Sequence, residues 1–232
     1  MTWIYDDFES GTNGGSIGGS SMPGGGGSWT LTTGVVQMSN AQKYNGSLSL
    51  SFVNNSSQND CQFPLIHGTD YSMIFRVLWT GSPAQLTNLI MHGDGTSIIQ
   101  LYLATNGDLT YYDTSGHVVS NLSINVWHLI EVTHISWSGK TYDIYVDGVI
   151  VKSGAAMRAF TSQTDVWRFQ QSLNAGTCVY IDNIIVGKYE SMDIYKLSVW
   201  KMLVSGLLMK SGAWKDIAYI QVLKSSAWKD IA

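Results

Sequence analysis

The sequence predicts an all-β protein: an antiparallel β-sandwich followed by a small region of β-hairpin repeats. Three observations lead there. Short runs rich in Val, Ile, Thr, Tyr and Trp recur at intervals of about 8–12 residues, separated by Gly, Asn and Asp turns, and no helical periodicity interrupts them. Hydrophobic residues make up 44% of the 232 positions against 13% charged, enough apolar surface to build a core. The C-terminal stretch repeats itself, KSGAWKDIA at 210–218 returning as KSSAWKDIA at 224–232.

The elements follow in order. TWIYDDF at 2–8 is the expected first strand. GTNGGSIGGSSMPGGGGS at 11–28 is low in complexity and without an apolar face, so it is read as a surface loop, either a flexible arm or a crossing between sheets. SLSLSFV at 47–53 alternates strictly, placing Leu48, Leu50 and Phe52 on one face. YSMIFRVLW at 71–79 is a longer buried strand, and LTNLIMHGDG at 86–95 ends in a Gly-Asp-Gly turn. Residues 97–113 form a hairpin around Asn106-Gly107, a strong turn signal. Residues 126–137 and 141–151 pair around Ser138-Gly139, with a second tight turn at Asp147-Gly148. VWRFQQ at 166–171 and CVYIDNIIVG at 178–187 complete the series.

Composition excludes several classes. The net charge is −4 and no cluster of five Lys/Arg exists, which argues against a nucleic-acid partner. No run approaches the ~18 apolar residues of a membrane span. The opening MTWIYDDFES has acidic residues where a signal peptide carries a basic flank and an apolar stretch, so synthesis without export is expected. Cys61 and Cys178 either pair or, as that context favours, stay reduced.

The stretch VWHLIEVTHISWSGKTYDIYVDGVIV resembles the central signature of laminin-G-like domains of the concanavalin A-like jelly-roll superfamily. DDFESG at 6–11 and YIDNIIVG at 180–187 are similar to the first and last strands of such jelly rolls and of related carbohydrate-binding modules. The resemblance covers about residues 1–188 and implies the fold more than the function, because this fold hosts lectins, glycanases, adhesion modules and virus particle proteins. It also implies a structural calcium tying first strand to last, held by Glu9 and Asp182 with Asp7 as a third candidate; the bland alternative is a surface Glu9 and a turn-capping Asp182.

Catalytic patterns are missing. Glycanases need two carboxylates across a cleft, and the only glutamates, Glu9, Glu131 and Glu190, are scattered. Histidines 67, 92, 117, 128 and 134 lack metal spacing, and no Gly-x-Ser-x-Gly elbow or phosphate loop is present. Glycan binding without chemistry needs exposed rings, for which Tyr111, Tyr112, Trp137 and Trp167 are the candidates, lying near turns or strand ends.

The tail divides into units 191–204, 205–218 and 219–232, in which Trp200, Trp214 and Trp228 recur every 14 residues. Each unit reads as an apolar run, a two-residue turn and a second arm. A two-heptad helix is the competing reading, but Lys210 and Lys224 would then fall on the seam defined by Ile217 and Ile231. Such short hairpins need neighbours to bury their apolar faces, so the three tryptophans with Ile217 and Ile231 are expected to form an oligomerisation or attachment surface, with a homotrimer favoured. Arrays of this kind resemble those of tailed-bacteriophage structural proteins. The resulting expectation is a non-enzymatic virion protein, a head decoration or fibre component, whose partners are itself, other virion proteins and weakly held surface glycans. A bacterial carbohydrate-binding or adhesion module is the alternative, and a glycoside hydrolase a more distant one.

Overall fold

A computed structural model describes residues 4–22, 27–53, 58–64, 71–80, 87–93, 96–104, 106–158, 166–171, 179–188, 220–224 and 227–231. The strands are β1 (Ile4–Asp6), β2 (Thr30–Thr33), β3 (Val36–Ser39), β4 (Ser49–Phe52), β5 (Asn59–Pro64), β6 (Tyr71–Trp79), β7 (Thr87–Gly93) and β8 (Thr96–Leu103). They continue with β9 (Asp108–Tyr112), β10 (Gly116–Asn121), β11 (His128–Ser136), β12 (Thr141–Val146), β13 (Val149–Ala156), β14 (Val166–Gln171) and β15 (Val179–Lys188). A separate hairpin, β16 (Ile220–Lys224) and β17 (Ala227–Ile231), follows. No helix occurs among the described residues.

The fold is an antiparallel jelly-roll β-sandwich. One sheet has the order β13-β12-β11-β6-β15-β4-β3, with β1 also pairing β15. The other runs β10-β9-β8-β7-β14-β5-β2. Period-two alternation decides which side chains meet between the sheets. On β14, Trp167 and Phe169 point inward while Val166, Arg168 and Gln170 alternate with them. On β5, Cys61 and Phe63 point inward. Burial pushes the Cys61 thiol up, away from reactivity. Cys178 lies outside the described residues.

Aromatic edge-to-face contacts fill the core: Trp29 to Phe63 at 4.8 Å and 72° on the seven-stranded sheet, and Phe75 to Phe169 at 5.6 Å and 76° between the sheets. The Trp29 Nε1 donates to Asp6 Oδ2 at 2.6 Å, and Asp6 Oδ1 accepts the Phe8 amide at 2.8 Å. Burial nevertheless raises the Asp6 pKa above its ordinary value.

The hairpin turns stand where the sequence places them. Asp147 and Gly148 both take positive φ, 51° and 78°, as a two-residue loop between β12 and β13 requires. The Gly-rich segment differs from expectation. Ile17 and Met22 are buried, and the segment is tied to β3 by Gly14 N to Met38 O at 2.8 Å and Ile17 N to Val36 O at 3.1 Å. Gly11 packs closely on Met38: a Cβ there would sit 1.8 Å from Sδ, so the methionine side chain would have to shift. Low complexity hid a segment that uses glycine to pack its backbone against a strand.

Met1–Tyr189 and Glu190–Ala232 form two separate compact units. In the second, β16 and β17 pair antiparallel with Lys224 opposite Ala227, so the helical alternative fails for this unit; Ser225 and Ser226 lie outside the described residues. Trp200, Trp214 and Ile217 lie outside the described residues, and Trp228 and Ile231 are described by backbone pairing alone.

Candidate functional site

The side of the seven-stranded sheet turned away from the core carries a continuous polar row. It begins at Arg158, just beyond β13, whose backbone amide bonds Ile98 O on β8 at 2.8 Å. Arg158 Nη1 donates to Gln100 Oε1 at 2.6 Å. Gln100 Nε2 donates to Asn88 Oδ1 at 3.2 Å, and Asn88 Nδ2 to Gln170 Oε1 at 3.4 Å. Gln170 Nε2 donates to Asp60 Oδ2 at 3.3 Å. Asp60 is fully buried and takes a bidentate fork from Arg168, with Nε at 2.8 Å from Oδ1 and Nη2 on Oδ2.

The row has a direction. A guanidinium at one end demands an amide oxygen, and a carboxylate at the other demands an amide N–H. The three amides between them on β8, β7 and β14 therefore all point the same way. An amide carries two N–H groups and two lone pairs, and the row engages one of each. Adjacent strands lie ~4.8 Å apart, so the amides repeat at a spacing close to the length of a pyranose ring, with Gln100 and Gln170 half-buried and Asn88 buried.

Two rings border the Arg158 end. The Arg158 guanidinium carbon sits 4.9 Å from the centroid of Tyr112 on β9. Tyr102 on β8 reaches toward Gly116 on β10, where a Cβ would lie 2.4 Å from its hydroxyl, so glycine at 116 makes room for that ring. The other aromatic candidates do not share this face. Trp167 is 0% exposed and points between the sheets, so its expected rim position is corrected. Tyr111 is also buried, stacked on His117 at 4.8 Å and 20°, because its strand neighbour Tyr112 takes the opposite face. Trp137 is half-buried against the core.

Glu9 and Asp182 grip a common loop. Glu9 Oε1 accepts the Ser47 and Leu48 amides, both at 2.8 Å. Asp182 Oδ2 accepts Tyr44 N at 2.9 Å and Asn45 N at 3.3 Å, and Oδ1 accepts Asn183 N at 2.8 Å. Burial first, and the Glu9 charge in addition, push the Asp182 pKa up to about 6 against the pull of those amides. Asp7 is turned elsewhere, taking the Tyr5 hydroxyl at 3.0 Å and the Glu9 amide at 3.2 Å. No group of three His, Cys, Asp or Glu among the described residues could hold a metal. The donors thus fit calcium in part: two carboxylates flank one loop, and the remaining oxygens would have to be backbone carbonyls.

The same loop presents Tyr44, which is 47% exposed and carries Arg76 over its ring at 4.1 Å, with Trp127 edge-on at 6.1 Å. Neither Tyr44 nor any of the amide row was singled out from sequence.

Other polar clusters are structural. His128 Nε2 accepts the Ser123 amide at 3.0 Å, so Nδ1 carries the proton and donates to Asp147 Oδ2 at 2.7 Å, stapling the β12–β13 turn. Ser115, His117 and Asp113 are no triad, because one nitrogen, Nε2, meets both Ser115 Oγ and Asp113 Oδ1 at 3.1 Å. Asp143 accepts Ser153 and Gly154. Glu131 is buried.

No family model matches the chain, and no curated protein is significantly similar in sequence. Solved structures share the fold. A sialidase matches with TM-score 0.57 at 12% identity over 84% of this chain, which spans only 20% of that one. The transglycosylase Crh5 matches with TM-score 0.53 at 10% identity, covering 82% of this chain and 85% of that chain. Domain 4 of AbnA, an arabinanase from Geobacillus stearothermophilus solved with arabinotriose, matches with TM-score 0.52 at 15% identity, covering 79% and 90%. At these identities the likeness is one of fold, an all-β jelly roll.

Proposed function

We propose that the jelly roll is a non-enzymatic glycan-binding module displayed on a bacteriophage particle, with the outer face of the seven-stranded sheet as its binding surface. The observation that carries the reading is the oriented amide row from Gln100 through Asn88 to Gln170. Vicinal sugar hydroxyls donate and accept at once, and each amide offers both functions at a fixed position. Hydrolysis lacks support on this sheet. Asp60 is committed to Arg168, and Asp108 is held below the usual carboxylate range by the side chains of Asn121 and Asn106, so neither resembles the protonated acid that glycoside cleavage needs.

The test is titration against a panel of bacterial surface polysaccharide fragments. Asn88→Ala and Gln170→Ala should each weaken binding roughly tenfold, the former with a stability loss of about 1–2 kcal/mol because Asn88 is buried and bonds both neighbouring amides. Absence of binding by the wild type at millimolar ligand, or release of cleaved sugar, ends this reading. The virion placement draws support from the Trp-Lys repeats. It predicts that the protein, made in the host cytoplasm, sediments with purified particles.

The reading includes a structural calcium held by Glu9 and Asp182, supported by the two carboxylates gripping one loop and by the burial that raises the Asp182 pKa. The pH behaviour tests it. The folded Asp182 pKa lies above the ordinary value of 3.8, so its stabilising contribution is complete below pH ~4 and is lost as pH rises through about 6. The two-unit difference corresponds to roughly 3 kcal/mol. In the absence of calcium, stability should fall from pH 4 to 7, and Asp182→Asn should flatten the slope, leaving the share due to Asp6. Calcium should raise Tm at pH 7 and have less effect at pH 4.5, where Asp182 is protonated. An unchanged Tm at pH 7 removes calcium from the account.

A further inference from the structure

The two ends of the polar row differ in charge. At the far end Arg168 is neutralised by Asp60, which is fully buried and out of reach of a ligand. Among the described residues, Arg158 at the near end is exposed and meets neutral groups: the Gln100 side-chain oxygen and the face of Tyr112. Among the described residues no carboxylate pairs with it.

We infer that Arg158 selects for glycans bearing a carboxylate, with the acidic sugar seated beside Tyr112 and the chain of sugars running across the strands toward Arg168. The inference rests on the proposed glycan-binding reading and adds the ligand class and polarity. Gln100 occupies one terminal nitrogen of Arg158 and anchors the guanidinium on the sheet. The ring of Tyr112 supports its plane from one side. A guanidinium held this way keeps its remaining N–H edge, a planar fork that matches a carboxylate. The anchoring also lowers the entropy lost on binding, since the long side chain is already placed. Beyond the acidic unit the amides on β8, β7 and β14 meet neutral hydroxyls. Little attraction for a second acidic group is expected near Asp60, whose charge is already matched. An acidic sugar at one end followed by neutral ones suits the row better than a uniformly charged polymer.

The test is calorimetric titration of the full chain with oligosaccharides from several uronate-containing polysaccharides, each paired with the same oligosaccharide after carboxyl reduction. The wild type should bind at least one acidic member about tenfold more tightly than its reduced partner, and added salt should erode the difference. Arg158→Ala should abolish the preference, weakening the acidic partner about tenfold more than the reduced partner, whose affinity falls only through the lost orientation of Gln100. Arg158→Lys should retain part of it at low salt, because the charge persists without the fork. If the wild type binds reduced and acidic partners equally, or if Arg158→Ala weakens both alike, the carboxylate inference is overturned and glycan binding stands. If no member of either set binds, both fall together. Equal melting temperatures for wild type and variants establish that the comparison concerns the site.

Discussion

Replacing Asp60 with alanine is expected to lower the stability of the jelly roll by about 3–5 kcal/mol, a fall in Tm of roughly 10 °C. Asp60 is fully buried, and Arg168 is 24% exposed with its fork committed to it. Removing the acid leaves a guanidinium in a site built around its partner, and the loss is mostly the penalty of that orphaned charge. The same reasoning predicts the double variant. Asp60→Leu with Arg168→Leu should recover most of the loss, since both desolvation penalties leave with the charges and apolar volume replaces them. Urea denaturation of the single and double variants measures this directly. A single-variant loss below about 1 kcal/mol would show that solvent screens the pair. The substitution also has a consequence at a distance. Without its anionic end, nothing compels Gln170 to present an N–H in that direction, and the orientation of Asn88 and Gln100 is no longer set from both sides. Asp60→Ala should therefore weaken glycan binding although Asp60 itself touches no ligand, and Asp60→Asn should do so with less loss of stability.

The fold was legible in the sequence because its signals are local. Two-residue turns such as Asp147-Gly148, strict alternation at 47–53 and the Trp-Lys period are all contained in windows of about 14 residues or fewer. The binding face is assembled from strands far apart in the chain. Asn88 meets Gln170 across 82 positions and Gln170 meets Asp60 across 110, so no window of sequence contains the row. Parity was available and was overlooked in one place. VWRFQQ alternates, and Arg168 and Gln170 on one face imply that Trp167 and Phe169 share the other, the core. Tyr111 and Tyr112 carry no such signal, since adjacent residues must take opposite faces and either choice fits the local pattern. Arg158 follows the end of a strand, where periodicity says nothing about where a side chain goes.

Deleting residues 189–232 should reduce the protein to a folded monomer, with the jelly roll unfolding as it does in the full chain. The hairpin β16–β17 has five residues in each strand, and a two-stranded ribbon of that size is marginal in water. In its register Leu223 lies opposite Trp228 and Ile220 opposite Ile231. Both pairs are large apolar residues in cross-strand register, more than a single two-stranded ribbon is expected to shelter by itself. Three units of 14 residues remain well below the size at which a chain buries enough of its own surface. Copies of the chain can supply the missing cover, and three copies would bring nine indoles together from Trp200, Trp214 and Trp228. Light scattering should give three chains for the full protein and one for the truncation, at the same thermal midpoint for the jelly roll. Trp214→Ala with Trp228→Ala should move the full chain toward the monomer, because the expected interface would lose the apolar area of these indoles. A truncated chain that keeps the full oligomeric mass would place the contacts in the jelly roll instead, with the exposed edge strand β13, bearing Val149 and Ile150, as the next surface to alter.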